Sequence, residues 1–200
     1  EKAAAFVADY GGRTFAEGAQ LCRDPDVDAV YICTRHDSHA DYVELASAER
    51  KAIYCEKPLA MNVRDASRAR RAVLEAGIPA VVGFNHRYSP GMLALKEEIA
   101  SRSQPIDALT IQFTTVAFLN GWAGTVEEGG GVFLALGSHV LDLVMHLAGD
   151  MIVETKAMAG LQRSTPGELP DSFGVVLRTK SGTLVTASAC DFGTPVYSTA

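Results

Sequence analysis

The sequence predicts an α/β protein: a partial doubly wound parallel sheet, followed by an α/β domain whose open sheet is mostly antiparallel. Up to residue 88, short apolar segments such as Ala29–Cys33 alternate with helical patterns, which is typical of parallel strands joined by helices. After Ser89-Pro90 the pattern changes to long strands of alternating residues, beginning with Ala108–Phe118. We therefore expect two domains, 1–88 and 89–200.

The elements of the first domain are predicted from apolar periodicity and from terminal residues. Ser38, with Asp41 as its capping-box partner, begins one helix, and Asn62 caps another that ends at Gly77. Alternation of helix and strand favours a sheet covered on both faces. The expected helices are Lys2–Tyr10, Ala16–Arg23, Ser38–Arg50 and Asn62–Ala76, and the expected strands are Ala29–Cys33, Ile53–Cys55 and Ala80–Phe84.

The second domain is predicted to combine few helices with an antiparallel sheet. Its helices are Gly91–Ser101 and an apolar helix that follows Gly129–Gly131 and ends at Gly149. Its strands are Ala108–Phe118, Ile152–Ala159, Phe173–Thr179 and Thr183–Ala189, with a hairpin turn at Lys180–Gly182. Apolar residues are expected on both faces of this sheet, including Val175, Leu177, Val185 and Ala187. An apolar outer face needs a partner, so we predict a homodimer or homotetramer through this sheet.

Composition excludes several classes of protein. The net charge of −6 disfavours nucleic-acid binding, which requires a basic face. No apolar segment is long enough to span a bilayer, which argues against a membrane protein. The four cysteines are widely separated and contain no CxxC pair, which favours reduced thiols in a cytoplasmic protein.

Two candidate segments follow predicted strands, where ligands of open α/β sheets bind. The first is the polar loop Thr34–His39, for which a simple capped turn is the better interpretation from the residues alone. The second is Glu56-Lys57-Pro58. A partly desolvated lysine has a lowered pKa and can act as a general acid or base. A Glu-Lys surface pair is an equally good interpretation.

The third candidate is a polar stripe on the apolar helix. His139, Asp142 and His146 share one helical face. A metal-dependent hydrolase could use them, but the helix has no HExxH pattern, so we assign no metal. Hydrogen-bonded core histidines are the alternative, especially for His146.

Taken together, these motifs resemble those of the Gfo/Idh/MocA family of NAD(P)-dependent oxidoreductases. The resemblance extends over most of the chain up to about residue 150 and rests on the order of its motifs. The matching segments are Asp26–Thr34, His39, Cys55–Ala60, Val82–Pro90, Gly129–Gly131 and Gly137–Asp142.

The resemblance implies a Rossmann-like dinucleotide-binding domain over 1–88 and a substrate-binding and oligomerisation domain over 89–200. It implies hydride transfer between NAD or NADP and a hydroxyl-bearing carbon of a sugar, cyclitol or related small molecule. It also implies a cis Lys57–Pro58 peptide, with Lys57 and His139 facing one cleft. The implied catalytic residues are Lys57 and His139, the substrate contacts are Asp142, Asn85 and Arg87, and the cofactor contacts are Thr34, His36, His39, Glu56 and Trp122.

The sequence departs from the family pattern at three points. It contains no Gly-x-Gly-x-x-Gly turn for pyrophosphate. Ala135 replaces a common aspartate, and Ala123 replaces an arginine that often follows the tryptophan. These departures leave open a non-redox homologue that serves as a binding or assembly module. Because the first apolar strands would form an unpaired edge, we also expect the natural protein to have a strand and a glycine-rich turn upstream of these 200 residues. The resemblance implies further sheet strands after Ala200.

Overall fold

The computed structural model describes residues 2–115, 121–160 and 169–191. It contains two sheets, one of three parallel strands and one of four strands in mixed orientation. Each sheet has its own apolar core. The predicted fold class is therefore confirmed.

The first sheet has the strand order β1-β2-β3, with all strands parallel. Its register places Tyr31 beside Tyr54 and Tyr54 beside Val81. The helices of this half are α1 (Lys2–Tyr10), α2 (Gly18–Arg23), α3 (His39–Ala48) and α4 (Val63–Ala76), and the strands are β1 (Ala29–Ile32), β2 (Ala52–Cys55) and β3 (Ala80–Val82).

The two faces of the first sheet differ in burial. Val30, Ile32 and Ile53 point into a core that they share with α3 and α4. On the opposite face, Tyr31 stacks on Tyr54 at 5.0 Å between ring centroids and is 74% exposed. We predicted that helices cover both faces of this sheet. Among the described residues, only the face that packs on α3 and α4 is buried.

Of the helix-terminus predictions in this half, those at Asn62 and Gly77 are confirmed and the one at Ser38 is wrong. The Asn62 side chain accepts a hydrogen bond from the Asp65 amide at 2.9 Å, and Gly77 adopts the left-handed conformation at φ 63°, as predicted. The predicted capping box at Ser38 is wrong. Ser38 is helical at φ −98° and ψ −7°, so its hydroxyl bonds instead to Thr34 Oγ1 and the Arg35 carbonyl. The helix α3 begins one residue later, after a 3₁₀ turn.

The predicted strand Ala29–Cys33 is one residue too long. The strand β1 ends at Ile32, and Cys33 is exposed, whereas Cys55 is buried at the end of β2. All four cysteines lie in the described part of the chain, and all are free thiols.

The second half carries the mixed sheet, with the strand order β4-β7-β6-β5. The pair β4–β7 is parallel, and the other two pairs are antiparallel. Its elements are α5 (Pro90–Ser101), β4 (Ala108–Thr115), α6 (Ser138–Ala148), β5 (Ile152–Gly160), β6 (Ser172–Thr179) and β7 (Leu184–Asp191). The end of the predicted strand Ala108–Phe118, from 116 onward, lies outside the described residues.

The inner and outer faces of this sheet were assigned wrongly from the sequence. Val175, Leu177, Val185 and Ala187 are all buried in one core with α6, because Val175 pairs with Ala187 and Leu177 with Val185. The four residues therefore lie on one face, not on two. The outer face is mixed, with exposed Val176, Leu184 and Met158 beside a Thr110–Thr186 hydrogen bond, an exposed Glu154–Arg178 ion pair and Gln112.

The apolar helix of this half begins with a π-helical turn. Phe133–Gly137 forms this turn, in which the Ser138 amide donates to the Phe133 carbonyl five residues earlier. The Ser138 hydroxyl donates to the Leu134 carbonyl at 2.7 Å. The helix α6 follows at once and ends at Ala148, and Gly149 terminates it in the left-handed conformation at φ 66°, as predicted. No helix within the described ranges combines the length and the apolar character needed to cross a bilayer.

Candidate active site

The candidate site lies where the carboxyl ends of the first sheet meet α6 and its π-helical turn. The loops after β1 and β2 and the 3₁₀ turn Asn85–Tyr88 after β3 face this region. Each loop sends a side chain across to the second half: His36 to Gly129, Lys57 to Ala135 and Arg87 to Asp142. Residues far apart in sequence thus converge in one place.

Lys57 directly follows β2, and its peptide bond to Pro58 is cis, as expected. Its ammonium group donates to the Ala135 carbonyl in the π-helical turn at 3.1 Å. Burial lowers the pKa of Lys57, and the nearby Glu56 carboxylate acts in the opposite direction. The amine is therefore easier to deprotonate than that of an ordinary surface lysine.

His139 lies in the first turn of α6 and is only 6% exposed. Its ring is perpendicular to that of His86, at 4.4 Å between centroids, and stacks on Phe113 at 6.2 Å. Its Nδ1 atom is buried and has no hydrogen-bond partner among the described residues. Burial, followed by the charges of Lys57 and His86, lowers the pKa of His139 to about 4. The imidazole is therefore neutral at pH 7 and can accept a proton.

Glu56 is held through both of its carboxylate oxygens. Oε1 accepts a hydrogen bond from the Tyr54 hydroxyl, and Oε2 accepts one from the Lys57 amide, each at 3.2 Å. This arrangement needs a glycine at position 83, because a Cβ there would lie 2.6 Å from the Tyr54 hydroxyl. The negative charge beside Lys57 is therefore fixed in position.

Arg87 and Asp142 bind each other. Arg87 Nε donates to Asp142 Oδ2 at 2.7 Å, and Nη2 donates to Oδ1 to complete a bidentate pair. Asp142 is 4% exposed, and its hydrogen bond raises the pKa of Arg87. Two residues predicted to contact substrate thus satisfy each other, whereas Asn85, the third, is exposed.

The histidines of the loop after β1 hold backbone groups. His36 Nδ1 lies 2.8 Å from the Gly129 carbonyl, and the His36 ring meets Trp122 edge to face at 4.9 Å. His39 is fully buried, with Nδ1 2.7 Å from the Pro58 carbonyl and Nε2 3.1 Å from the Thr34 carbonyl. Both rings thus tie together the loops that carry Lys57 and the glycines. Thr34 itself is exposed.

The alternative metal site at His139, Asp142 and His146 gains no support from the geometry. Both oxygens of Asp142 accept hydrogen bonds from Arg87. Across residues 2–115, 121–160 and 169–191, no group of three or more His, Cys, Asp or Glu side chains could hold a metal ion.

Sequence reasoning missed several residues that line the site. His86 and Phe84 lie in the turn after β3, and Phe113 lies on β4, where each has a ring contact with His139. The only available signal was the position of Phe84 and His86 inside the motif Val82–Pro90. Arg35, which lies in the predicted loop Thr34–His39, pairs with Glu128 across the two halves, and that partner was not predicted.

Comparison with known proteins identifies similar sequences and folds. A curated 1,5-anhydro-D-fructose reductase from Ensifer adhaerens is 34% identical over 80% of this chain and 49% of its own length. A myo-inositol 2-dehydrogenase from Thermotoga maritima is 27% identical over 86% of this chain and 52% of its own length. The chain thus spans about half the length of these curated relatives.

A solved structure and two family models agree with these matches. This chain matches the crystal structure of an oxidoreductase domain protein from Kribbella flavida with a TM-score of 0.90 and 24% sequence identity. The match covers 98% of this chain and 58% of the Kribbella chain. That likeness shows the fold. A family model described as an oxidoreductase family, NAD-binding Rossmann fold, matches residues 1–84, and the GFO/IDH/MocA C-terminal domain model matches residues 106–197. Because the two domain models of one family match this chain in order, the chain belongs to the Gfo/Idh/MocA oxidoreductase family.

Proposed function

We propose that this protein is an NAD(P)-dependent oxidoreductase that transfers hydride between nicotinamide and a hydroxyl-bearing carbon of a sugar, cyclitol or related small molecule. The observation that carries the proposal is the approach of Lys57 to the π-helical turn one helical turn before His139. A charged amine and a neutral imidazole thus come close together from the two halves of the chain, since the charge of Lys57 contributes to the lowered pKa of His139. The names of the curated relatives, a reductase of an anhydro sugar and a dehydrogenase of a cyclitol, support this substrate class.

Oxidation of an alcohol removes a hydride from carbon and a proton from oxygen. Neutral His139 is suited to accept the hydroxyl proton, because its lowered pKa keeps the ring unprotonated at pH 7. The ammonium group of Lys57 has three donor hydrogens, of which the Ala135 carbonyl takes one. A remaining donor can hydrogen-bond the reacting oxygen and stabilise the negative charge that develops on it.

The described strand ends fit one end of a dinucleotide. Thr34 is exposed after β1, and the fixed carboxylate of Glu56 after β2 is suited to accept hydrogen bonds from a ribose hydroxyl. When bound, NAD or NADP would accept the hydride at C4 of its nicotinamide. His36, His39 and Trp122 would support this site indirectly by holding its loops, because the ring nitrogens of His39 and the Nδ1 atom of His36 face carbonyl groups.

The substrate end of the cleft would be shaped by the Arg87–Asp142 pair rather than by a free carboxylate. We assign the direct substrate contact in this region to exposed Asn85, with Asp142 and Arg87 holding the turn that carries it. Buried Ala135 contributes its carbonyl group to Lys57 and no side-chain functional group.

Binding and turnover test this function separately. Titration of the purified protein with NADH and NADPH, followed by nicotinamide fluorescence, should saturate for at least one of them. Incubation with NAD or NADP and a panel of cyclitols and sugars should then produce absorbance at the reduced nicotinamide band. A folded protein that binds neither dinucleotide would overturn the proposal and favour a binding or assembly module.

We also propose a homodimer or homotetramer through the outer face of the second sheet and a cytoplasmic location. Exposed Val176, Leu184 and Met158 supply apolar surface on that face, and the four free thiols agree with a reducing compartment. Light scattering that finds a monomer at micromolar concentration would contradict the assembly.

A further inference from the structure

The hydroxyl of Tyr54 reaches the carboxyl end of the first sheet from the face of the sheet opposite its core. Side chains alternate between the faces along a strand, and Glu56 directly follows β2, so Tyr54 and Glu56 lie on the same face. The Tyr54 hydroxyl donates to Glu56 Oε1 at 3.2 Å, and the Tyr54 ring stacks on that of Tyr31. Tyr54 thus links an aromatic pair on the sheet to the carboxylate that we place near the cofactor.

The backbone of the neighbouring segment closes the space around the Tyr54 hydroxyl. Gly83 follows β3, and its amide donates to the Cys55 carbonyl at 2.8 Å, so the two segments lie side by side. A Cβ at position 83 would lie 2.6 Å from the Tyr54 hydroxyl and 3.1 Å from Glu56 Oε1. The hydroxyl and the carboxylate oxygen therefore fit beside position 83 because that residue has no side chain.

Both oxygens of Glu56 keep capacity to accept further hydrogen bonds. Oε1 accepts one from the Tyr54 hydroxyl, and Oε2 accepts one from the Lys57 amide. Each carboxylate oxygen can accept two hydrogen bonds, so the contacts among the described residues leave one position on each. Two adjacent oxygens with one position each suit the two neighbouring hydroxyls of a ribose. Without the Tyr54 hydroxyl, only the amide of the next residue would hold the carboxylate.

We propose that Tyr54 is a positioning residue for the dinucleotide, and that its hydroxyl holds the Glu56 carboxylate in the orientation that receives two hydroxyls of a cofactor ribose. The inference rests on the proposed function, in which Glu56 contacts that ribose. Ordering a flexible side chain at the moment of binding costs affinity, and the Tyr54 bond orders Glu56 beforehand. Burial, followed by the Glu56 charge, raises the pKa of Tyr54, so its hydroxyl remains a donor at neutral pH. Tyr54 acts through Glu56 and is not a catalytic residue.

The test is the dissociation constant of NADH or NADPH, whichever binds more tightly, measured by nicotinamide fluorescence. Tyr54→Phe keeps the stacked ring and removes only the hydroxyl, so the dissociation constant should rise by about three- to tenfold. If turnover is found, KM for the dinucleotide should rise by the same factor, while kcat should change much less, because Lys57 and His139 are untouched. Tyr31→Phe is the matched control. It removes the hydroxyl of the other ring in the same stack and should leave the dissociation constant unchanged.

A double-variant cycle tests whether Tyr54 acts through Glu56. Glu56→Ala should weaken dinucleotide binding by itself. Adding Tyr54→Phe to Glu56→Ala should cause no further loss, because no carboxylate remains for the hydroxyl to hold. A further loss in the double variant as large as that in Tyr54→Phe alone would overturn the proposal. Unchanged binding in Tyr54→Phe would overturn it too, as would an equal loss in Tyr31→Phe, which would indicate a disturbed aromatic stack.

The wild-type protein separates this inference from the proposed function. If the wild type binds neither dinucleotide, the proposed function fails, and the role of Tyr54 fails with it. If the wild type binds one of them and Tyr54→Phe binds it equally well, the role of Tyr54 fails and the proposed function stands.

Discussion

Two polar contacts, which we call bridges, join the loops of the first sheet to the apolar helix of the second half. They differ in how many of their hydrogen-bonding groups have partners. In the Arg87–Asp142 bridge, a bidentate pair uses both carboxylate oxygens. In the bridge made by Lys57, one ammonium hydrogen binds a carbonyl, and the neighbouring His139 keeps a buried nitrogen without a partner among the described residues. The first bridge is complete and suits a structural role, whereas the second retains the donors and the lone pair that proton transfer requires.

Removing Lys57 should produce the largest effect. On the proposed function, Lys57→Met should reduce the rate of hydride transfer by about 10²–10³-fold, because the reacting oxygen would lose a charged hydrogen-bond donor, while stability should change little. The measurement is steady-state kinetics with the dinucleotide that binds. Lys51→Met is the control, since Lys51 also donates to a carbonyl, that of Asp24 at 2.9 Å, but lies away from the cleft. Equal losses of rate in Lys57→Met and Lys51→Met would contradict the assignment of a role in the reaction to Lys57.

Breaking the complete bridge should reduce stability instead. Asp142→Asn leaves Arg87 without its counter-charge, and we expect a loss of about 2–3 kcal/mol in the free energy of unfolding, measured with urea. This lies below the cost for a fully buried pair, because 35% of the Arg87 side chain is exposed. Arg87→Met combined with Asp142→Leu should lose less than Asp142→Asn alone. A larger loss in the double variant would mean that the pair does more than neutralise its own charges.

Lowering the pH should reduce the stability of the protein through His139, beside the Lys57 bridge. The folded pKa of His139 is about 4, below its ordinary value of 6.5, so the unfolded chain binds a proton first as the pH falls. Stability is therefore lost as the pH drops from 6.5 toward 4, with about 2 kcal/mol lost by pH 5. Urea unfolding of the wild type and His139→Gln at pH 7 and 5 measures this difference. The same pH slope in both proteins would show that His139 is not its source.

The surface bridge between the halves should matter least. Arg35 pairs with Glu128, with 54% and 33% of their side chains exposed, so water screens the interaction. Glu128→Gln should cost about 0.5 kcal/mol in the free energy of unfolding. This loss of stability should become smaller in high salt. A loss that does not depend on salt and exceeds that of Asp142→Asn would show that the Arg35–Glu128 pair matters more than the Arg87–Asp142 pair.

Local patterns predicted most of the fold, because the signals involved act over a few residues. The Asn62 cap and the Gly77 stop are examples, since both depend on hydrogen bonds within one turn. The covered face of the second sheet was not predictable in the same way. Both faces contain apolar residues, and only the placement of α6 decides which is buried.

The candidate site shows the same limit. Lys57 and His139 could be selected from motifs, but the bond from His36 to the Gly129 carbonyl joins residues 93 positions apart. The mutual pairing of Arg87 and Asp142 likewise depends on tertiary structure, and no periodicity indicates it. The sequence therefore identified the chemical groups, while the structure decided which of them are already occupied.

The π-helical turn changes how this helix must be aligned with others. Val132 and Val140 flank the turn and are both buried, at 1% and 0% exposure. Eight positions apart on a regular α-helix, they would point about 80° away from each other. The extra residue held by the π turn makes them equivalent to neighbours seven positions apart, about 20° from a common direction. An alignment that keeps the buried positions in phase with an uninterrupted helix must therefore open a one-residue gap between Phe133 and Gly137.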